Sequence, residues 1–468
     1  MPALPSRAAL VAALLACGLF LAFAGDGIGA YFTPDDMMNL YQAWSASPAG
    51  LLHQDRPVGA VVYRLLFAGF GLNPLPYRLL AFALLLANLA LLYRFCRRLA
   101  GSRETAALAC LLGAYHAHLA DLYYSTGAIF DLLCWFFFLW ALEYYIGIRQ
   151  AGRYPDARQN MALAVLYLLA LGSKEMAAVL PVYILLYEWI FERQHADWLR
   201  RGAWFWWISL PLTALVASAK LAGAHAMATN PDYAPHLTLH AFLAAWRHYL
   251  NDLFYGAVAF NSFKTLLLLA LLLAGALWAR RREMLFAWFM MVIGALPVIF
   301  IAPRGFFVLY LTLPGWYLYG AEVLMLARDA FLRALPRWAT SFQVRPEQLV
   351  LFLLVLLVLI PLDRHEKPLG NSWVAGNYRV VRSVLKPLDS RVGPLRPGAR
   401  ILFLADPFDP GDWILSFMFR LHYRDQNLQV DRVKDHPELA AEAARYDRVF
   451  VLDDGGLREA RFAPERPH

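Results

Sequence analysis

The chain has 468 residues, of which 60% are hydrophobic and only 17% are charged, and its formal net charge is +8. Soluble domains carry about a quarter charged residues, so this composition excludes an ordinary water-soluble enzyme. Because the arginines gather between apolar runs, they follow the positive-inside pattern of membrane proteins, and we expect no nucleic-acid partner.

Apolar runs recur along most of the chain, and each approaches, with its flanks, the roughly 20 residues that cross a hydrocarbon core. Such runs are Leu79–Leu92, Leu266–Trp278, Met284–Ile301 and Leu349–Leu362. Arginine clusters separate them near Arg94–Arg103, Arg149–Arg158, Arg193–Arg201, Arg280–Arg282 and Arg328–Arg345. If these clusters and the N-terminus are cytoplasmic, the chain has about eleven spanning helices. We therefore expect an all-α polytopic protein of the bacterial inner membrane.

The first apolar run, Ala8–Ala24, follows the lone Arg7 and resembles a secretory signal peptide, with Ala22-Phe23-Ala24 as a small-residue cleavage site. We predict instead an uncleaved first helix, because the loop after it carries the residues that we connect below with chemistry.

Two shorter apolar stretches, Pro57–Phe70 and Tyr249–Phe260, cannot span the membrane if the arginine clusters are to stay on one side. We predict that both are helices lying in the outer interface, each with its apolar face toward the lipid. The outer face then carries a long first loop, a short turn, a second loop and a late turn. These are 25–76, Ser173-Lys174-Glu175, Gly223–Arg247 and the segment around Arg304.

The last helix is predicted to end near Leu362, and the polar segment after it has the size of a small domain. Within it, Arg400–Ala405 and Arg448–Leu452 have the apolar content of buried strands, and His436–Tyr446 resembles a helix between them. The sequence thus predicts a membrane domain over 1–362 and a small C-terminal α/β domain over 363–468 on the periplasmic side. No segment of the latter has the spacing of a catalytic motif.

An acidic pair, Asp35-Asp36, lies shortly after the first helix. Transfer of a group to a hydroxyl or amide needs a general base at the acceptor proton. A carboxylate whose pKa is raised by its neighbour or by partial burial suits that task. Alternatively, Pro34-Asp35 opens a helix with Asp35 as its N-cap, and one acid caps while the other catalyses. We prefer Asp35 as the base but treat the pair as one candidate.

Three basic residues on the same predicted face could neutralise the phosphate of a lipid-linked donor as its glycosidic bond breaks. They are Arg56, Lys174 and Arg304. Each alone could equally be an interface anchor that extends toward the lipid head groups. Lys174 could also simply pair with Glu175 or with another carboxylate.

His116 and His118 precede Asp121 near the outer end of a helix, and Asp131 begins the next helix. Two histidines two residues apart point to different faces, so we expect no shared metal and predict a polar packing role for at least one. An acid inside the membrane normally faces a cavity or a partner. These two histidines, Asp131 and Glu175 are therefore possible substrate-pocket residues.

Cofactor chemistry has no sequence signature here. The four cysteines (Cys17, Cys96, Cys110 and Cys134) lie in or beside apolar runs without metal-ligand spacing, and no disulfide framework is expected. Glycine-rich phosphate loops, zincin motifs and nucleophile elbows are missing from the sequence. We predict no cofactor and no metal, although Asp35-Asp36 could ligate a divalent cation.

Taken together, these motifs resemble the C-type (GT-C) glycosyltransferases, and within them the protein O-mannosyltransferases and the transmembrane, tetratricopeptide-repeat O-mannosyltransferases. The resemblance covers roughly the first three hundred residues, with four segments in order on one predicted face. The segments are Asp35-Asp36; Arg56-Pro57-Val58 with Gly71-Leu72-Asn73-Pro74-Leu75-Pro76-Tyr77-Arg78; Leu171-Gly172-Ser173-Lys174-Glu175 with Pro181 and Tyr187-Glu188; and Arg304 with Tyr310-Leu311 and Leu313-Pro314.

The resemblance implies a GT-C-like fold, a polyprenyl- or dolichyl-phosphate sugar donor, inversion at the anomeric carbon and an acid of the first loop as the base. It also assigns the basic residues to the donor phosphate. The chain departs from the family at Tyr115-His116-Ala117-His118, where His-Pro-x-His is common, and at Arg304, which precedes Gly305-Phe306-Phe307 rather than a tyrosine. Because no tetratricopeptide repeat follows, the acceptor stays open among lipid, envelope glycan and protein.

Three other functions fit the same composition. A transporter or flippase of lipid-linked sugars predicts inverted repeats and acids at mid-membrane, and the sequence offers neither clearly. A polysaccharide polymerase or ligase would carry a different arginine-rich outer loop. A non-catalytic envelope protein on the same scaffold would not require the four polar segments. We predict a membrane glycosyltransferase with a cytoplasmic N-terminus.

Overall fold

The computed structural model describes residues 7–192, 197–222, 233–334, 346–388, 392–453 and 456–460. They form a mainly helical protein with one small sheet near the C-terminus, as the composition predicts. The helices are α1 (Arg7–Ala24), α2 (Pro34–Ser45), α3 (Pro48–Leu52), α4 (Pro57–Phe70), α5 (Pro74–Ala100), α6 (Arg103–Leu112), α7 (Ala120–Tyr124), α8 (Ile129–Gln150), α9 (Ala157–Ser173), α10 (Leu180–Phe191), α11 (Trp204–Ala222), α12 (Leu239–Leu253), α13 (Ser262–Ala279), α14 (Arg282–Gly294), α15 (Leu313–Ala334), α16 (Pro346–Pro387) and α17 (Ile414–Tyr423). The strands are β1 (Arg400–Ala405), β2 (Gln429–Arg432), β3 (Arg448–Asp453) and β4 (Gly456–Glu459).

The chain packs as two compact units, each assembled from separate segments. The first unit comprises Met1–Asp26, Ala81–Tyr123 and Ile129–Asn371. The second unit comprises Gly27–Leu80, Tyr124–Ala128 and Ser372–His468. Within the first unit α8 packs against α9, α14 against α15, and α6 against both α1 and α15. Within the second unit α2 packs against α4 and α17.

The prediction that the last helix ends near Leu362 is wrong, because α16 continues to Pro387. The residues after Leu362 include Pro368 and Gly370, both poor helix formers, so neither hydropathy nor propensity predicts that the helix continues. Val374 and Val381 of this continuation are buried, so tertiary packing stabilises it. The division of the chain into domains at residues 362 and 363 stays a prediction.

Three helices of the described residues are long and apolar enough to cross a bilayer, namely α5, α8 and α13. A fourth candidate requires Ala13–Gly29 and Pro34–Ser45 to count as one broken span. We treat α2 as lying outside the spanning segments, because twelve helical residues extend only about 18 Å and this helix opens with two acids. The expected number of about eleven spans stays a prediction.

Helix α13 shows why this protein needs lipid. Most of its apolar side chains are not covered by protein; Leu271 is 59% exposed and Trp278 is 86% exposed. A soluble protein rarely leaves so continuous an apolar surface open to water. The acyl chains of a membrane would cover it.

One of the two predicted interfacial helices has the expected bounds. Helix α4 covers Pro57–Phe70, and its fourteen residues are too few to span. One side buries Tyr63 and Phe67 in the protein, whereas Val61 and Leu65 are exposed on the other. Apolar residues on both sides are what a helix between protein and lipid requires.

The second interfacial helix, predicted over Tyr249–Phe260, has the wrong bounds. Helix α12 begins at Leu239 and ends at Leu253. The chain then turns through Tyr255, Gly256 and Ala259, all at positive φ. Positive φ is incompatible with a continuing right-handed helix, so the apolar run extends beyond the helix.

Several arginines of the predicted cytoplasmic clusters have buried acidic partners in the first unit. Glu143, 2% exposed, accepts hydrogen bonds from Arg94 and Arg98. Arg149 donates its Nε to Glu188 at 2.7 Å, and both are almost fully buried. These arginines therefore join neighbouring helices through ion pairs, in addition to any role in orienting the chain across the membrane.

The C-terminal sheet has the strand order β2-β1-β3-β4, with β1 parallel to both neighbours and β4 antiparallel to β3. The two predicted strands, β1 and β3, are confirmed, and the predicted helix is a 3-10 helix over Pro437–Arg445. Phe403 of β1 and Phe450 of β3 pack beside Phe419 of α17. A small C-terminal sheet is therefore present, and β2, β4 and α17 are elements that the sequence analysis did not predict.

Candidate active site

The acidic pair lies in the first turn of α2, which begins because Pro34 fits the N1 position of a helix. The residue before a proline is restricted to extended conformations, and Thr33 has φ −95° and ψ 168°. Thr33 is therefore the N-cap, and the prediction that Asp35 caps the helix is wrong. Asp36 satisfies the cap instead: the backbone N–H of Thr33 donates to Asp36 Oδ2 at 2.7 Å.

A turn from a distant part of the second unit, Ser125-Thr126-Gly127, closes over Asp36. The Ser125 hydroxyl donates to Asp36 Oδ1, and the Thr126 N–H donates to Asp36 Oδ2, both at 3.4 Å. The Tyr63 hydroxyl holds the turn by donating to the carbonyl of Thr126 at 2.8 Å. A Cβ on Gly127 would lie 3.3 Å from Asp36 Oδ1, so a glycine there allows the backbone to approach the acid closely.

The two acids of the pair have opposite environments. Asp36 is completely buried, and this burial raises its pKa from 3.8 to about 6. The Thr33 N–H and the charge of Arg78 oppose the rise in pKa. Arg78 is itself fully buried and donates its Nε to the carbonyl of Gly27 at 3.0 Å. Asp35 is exposed, so of the two carboxylates it is the one that a substrate can reach.

The raised pKa of Asp36 predicts a pH-dependent stability. Because the pKa is about 6 in the folded protein and 3.8 as its ordinary value, the folded state binds more protons between these pH values. The free energy of unfolding should therefore fall by up to about 3 kcal/mol as the pH rises from about 4 to about 6, and be flat above. The Asp36→Asn variant lacks this dependence. Its Tm in detergent, relative to wild type, should rise over that window; a constant difference would contradict the assignment.

Arg56, the predicted phosphate ligand of the first loop, belongs to the same unit as the acid pair. It is the N-cap of α4, and its carbonyl accepts the N–H of Ala60 at 3.1 Å. Its side chain is half-buried. The start of a helix is a favourable place for an anion, because free N–H groups and the helix dipole point outward there.

Lys174 and Asp131, predicted separately, form an ion pair in the first unit. The Lys174 Nζ lies 2.5 Å from Asp131 Oδ1, and both side chains are more than nine-tenths buried. The ammonium also lies 5.4 Å from the centre of the Phe307 ring. The pairing of Lys174 with a distant carboxylate, one of the alternatives for this lysine, is thus what the structure has. Glu175, half-buried, begins the 3-10 helix that follows.

Arg304 lies elsewhere in the first unit, at the entrance to a 3-10 helix over Phe306–Thr312. Its guanidinium stacks on the ring of Tyr233 at 4.0 Å. Its carbonyl lies 3.1 Å from Nε2 of His248, a residue that the sequence analysis did not single out. His248 in turn lies 3.3 Å from Asp252, its i+4 neighbour on α12. That i,i+4 spacing of a histidine and an acid is the signal that could have identified this pair.

The two predicted histidines meet the end of α12. His116 stacks on Tyr255, with ring centres 4.4 Å apart, and its Nε2 lies 3.1 Å from the carbonyl of Leu253. Burial lowers the pKa of His116 to about 4, so the ring is neutral at physiological pH. His118 Nδ1 lies 3.4 Å from Asp252 Oδ1. His116 thus packs through both its ring and one nitrogen, and a substrate-pocket role for either histidine stays a prediction.

Metal chemistry has no candidate centre in the described part of the chain: no three side chains of His, Cys, Asp or Glu come together there as ligands. The four cysteines, all within the described residues, form no disulfide with one another, and Cys96, Cys110 and Cys134 are buried. The expected absence of a metal stays a prediction, and the use of a divalent cation by the acid pair stays its alternative.

Comparison with known proteins finds similarity among solved structures. A scan against models of protein families and a search of curated proteins found no match. The crystal structure of ArnT from Cupriavidus metallidurans bound to undecaprenyl phosphate is similar over 96% of this chain and 96% of that chain, with a TM-score of 0.48 and 14% sequence identity. A similarity of this size identifies no family, and the proposals below rest on this chain's own residues.

Proposed function

We propose that the protein is a membrane glycosyltransferase that moves a sugar from a polyprenyl-phosphate donor to a lipid, glycan or protein acceptor. The observation that carries the proposal is the acid pair, in which one carboxylate is exposed and its neighbour is buried in a hydrogen-bonded network. Two adjacent carboxyl groups with environments this different are a common basis for separate roles in catalysis.

Asp35 is the proposed general base. A base must come within hydrogen-bonding distance of the acceptor proton, and the exposed carboxylate of Asp35 allows such an approach. Asp36, which is completely buried, cannot contact an acceptor and is proposed to hold the start of α2 in place. Deprotonation of an acceptor hydroxyl as it attacks the anomeric carbon accounts for an inverting transfer, with the lipid phosphate leaving from the opposite side.

The donor phosphate needs positive charge as the glycosidic bond breaks. Arg56, which belongs to the same unit as the acid pair, is the proposed ligand, because a guanidinium presents several donors that match phosphate oxygens. Lys174 is less suited, since its charge is already balanced by Asp131. We assign that lysine chiefly to the ion pair, and a role of Arg304 in donor binding stays a prediction.

The proposed function also implies where the protein lies in the cell. The apolar surface of α13 and the two-sided α4 support a protein embedded in a membrane, and α2 contacts α4 directly. An acid next to a helix in the interface would meet a donor whose phosphate lies among lipid head groups. We infer the periplasmic side of a bacterial inner membrane, with kinship to the GT-C glycosyltransferases; the O-mannosyltransferase likeness belongs to this proposal as well.

Donor turnover tests the function directly. Purified protein would be given radiolabelled polyprenyl-phosphate sugars, one at a time, with crude envelope as the acceptor. We expect one donor to be consumed and its label to appear in a lipid, glycan or protein fraction. If none of the donors is consumed while the protein stays folded, a transporter, flippase or non-catalytic envelope protein becomes the better interpretation.

A further inference from the structure

We propose that the C-terminal α/β segment is a positioning element for the acid pair, acting through α17 on α2. The inference rests on the proposed function, because it concerns the same acids. It assigns a role to a segment in which the sequence shows no catalytic motif. Both helices belong to the second unit, so the contact lies within one compact body.

The contact between α17 and α2 is specific. The rings of Phe417 and Tyr41 stack, with centres 4.6 Å apart and planes 21° apart. Arg420, one turn later on α17, donates from Nη1 to the Tyr41 hydroxyl at 2.9 Å. Tyr41 is thus held by a ring on one side and by a hydrogen bond at its end. Stacking and a charged hydrogen bond together fix both the position and the rotation of a side chain.

The opposite face of α17 is anchored in the sheet. Phe419 packs beside Phe403 of β1 and Phe450 of β3, with ring centres 5.5 Å and 5.8 Å away. Arg420 also donates its Nε to the carbonyl of Leu428, just before β2, at 2.9 Å. Arg420 therefore bonds to both the sheet domain and α2. A displacement of the sheet would move Tyr41 with it.

Helix α17 also contacts α4, the helix against which α2 packs. Arg424 ends α17 at positive φ, and its guanidinium lies 5.3 Å from the ring of Phe67 on α4. Phe67 is 2% exposed and contacts Trp44 of α2, with ring centres 5.9 Å apart. Helix α2 is therefore held between α4 and α17.

Helix α2 depends on such support. It has only twelve residues, and helices this short are marginal in water without tertiary packing. Tyr41 lies six residues after Asp35, about 9 Å along the axis, so a tilt of the helix at Tyr41 moves the exposed acid. A general base tolerates little displacement from its acceptor. The packing of α17 thus determines where Asp35 points.

The test combines hydrogen exchange with kinetics. The full-length Phe417→Ala variant should exchange the amides of α2 roughly tenfold faster, with the spanning helices unchanged. Its kcat should fall while its KM for the donor stays near wild type, because the base and not the donor site is displaced. Phe417→Trp keeps a stacking ring and should restore both properties. Tyr41→Phe keeps the stack, loses the acceptor of Arg420 and should give an intermediate effect.

Hydrogen exchange of α2 tests the positioning inference, and sugar transfer tests the proposed function. A failure of one can therefore be told apart from a failure of the other. If Phe417→Ala leaves α2 exchange unchanged while the wild type transfers sugar, the positioning inference is wrong and the function stands. If the wild type transfers no sugar, the proposed function is wrong, and α2 exchange alone decides whether α17 holds α2. Should Phe417→Ala fail to fold, Tyr41→Ala makes the same test from the other side of the contact. Unchanged α2 exchange there would also overturn the inference.

Discussion

Replacing Asp35 by asparagine should lower the rate of sugar transfer by about 100-fold to 10,000-fold, the usual contribution of a positioned general base. The amide has the same size as the carboxylate but cannot take the acceptor proton. Because Asp35 is exposed, its loss should hardly change the Tm. The measurement is single-turnover transfer from the radiolabelled donor, together with the thermal unfolding of the same preparation.

A matched control is available in the same loop. Asp55 is also exposed, and Asp55→Asn removes a carboxylate of the same kind outside the acid pair. This control should transfer sugar at the wild-type rate. Equal rates for Asp35→Asn and wild type would remove Asp35 as the base.

Replacing Lys174 by methionine should destabilise the protein by about 3–5 kcal/mol, the cost of leaving one member of a buried ion pair without its partner. Methionine keeps most of the volume and removes the charge, so Asp131 is left as a buried carboxylate without its ammonium partner. The Tm in detergent would report the loss, and equilibrium unfolding in denaturant would give its size wherever the transition is reversible.

The double variant Lys174→Met/Asp131→Leu is the control for this second prediction. Removing both charges leaves no uncompensated group, so the double variant should regain most of the stability that the single variant loses. If the double variant is as unstable as Lys174→Met alone, the ion pair is not the source of the effect. If Lys174→Met has the wild-type Tm, the buried pair makes no net contribution to folding.

The acid pair shows how far the sequence could lead. Two adjacent acids after a proline, close to a membrane helix, are visible in the sequence as a candidate for catalysis. Their division into one buried and one exposed group was not predictable, because it depends on Thr126, which lies 90 residues away from Asp36 in the chain. The sequence around the acid pair shows where helix α2 begins. It does not show the distant turn that closes over Asp36.

The basic residues illustrate the same limit. The sequence shows that these basic residues lie at turns, but it does not show which acidic residues they pair with. Lys174 forms its ion pair with Asp131, 43 residues earlier in the chain, rather than with the adjacent Glu175. Neighbours in sequence do not face each other on a helix, whereas residues on packed helices do. The charge that a substrate would meet therefore depends on tertiary packing.

The predicted bounds of an element were right where a proline or a glycine coincided with the change in hydropathy. Helix α4 begins at Pro57 and ends before Gly71, which has a positive φ. By contrast α16 continues beyond its apolar run and through Pro368 and Gly370, because tertiary packing overrides the local propensity there. The short strands β2 and β4 were missed because four residues give too little periodicity to recognise.

The composition of the second unit constrains how the protein is made. Its three segments are separated by long stretches of the first unit, and Arg420 bonds to a tyrosine 379 residues earlier. A ribosome releases that tyrosine long before it synthesises the arginine, so the spanning helices enter the membrane while the acid pair still lacks α17. Contacts between such distant residues form late, because closing a long loop costs entropy before any contact compensates for it. A chain that stops before Ser372 would therefore be inserted in the membrane with α2 lacking its contact with α17.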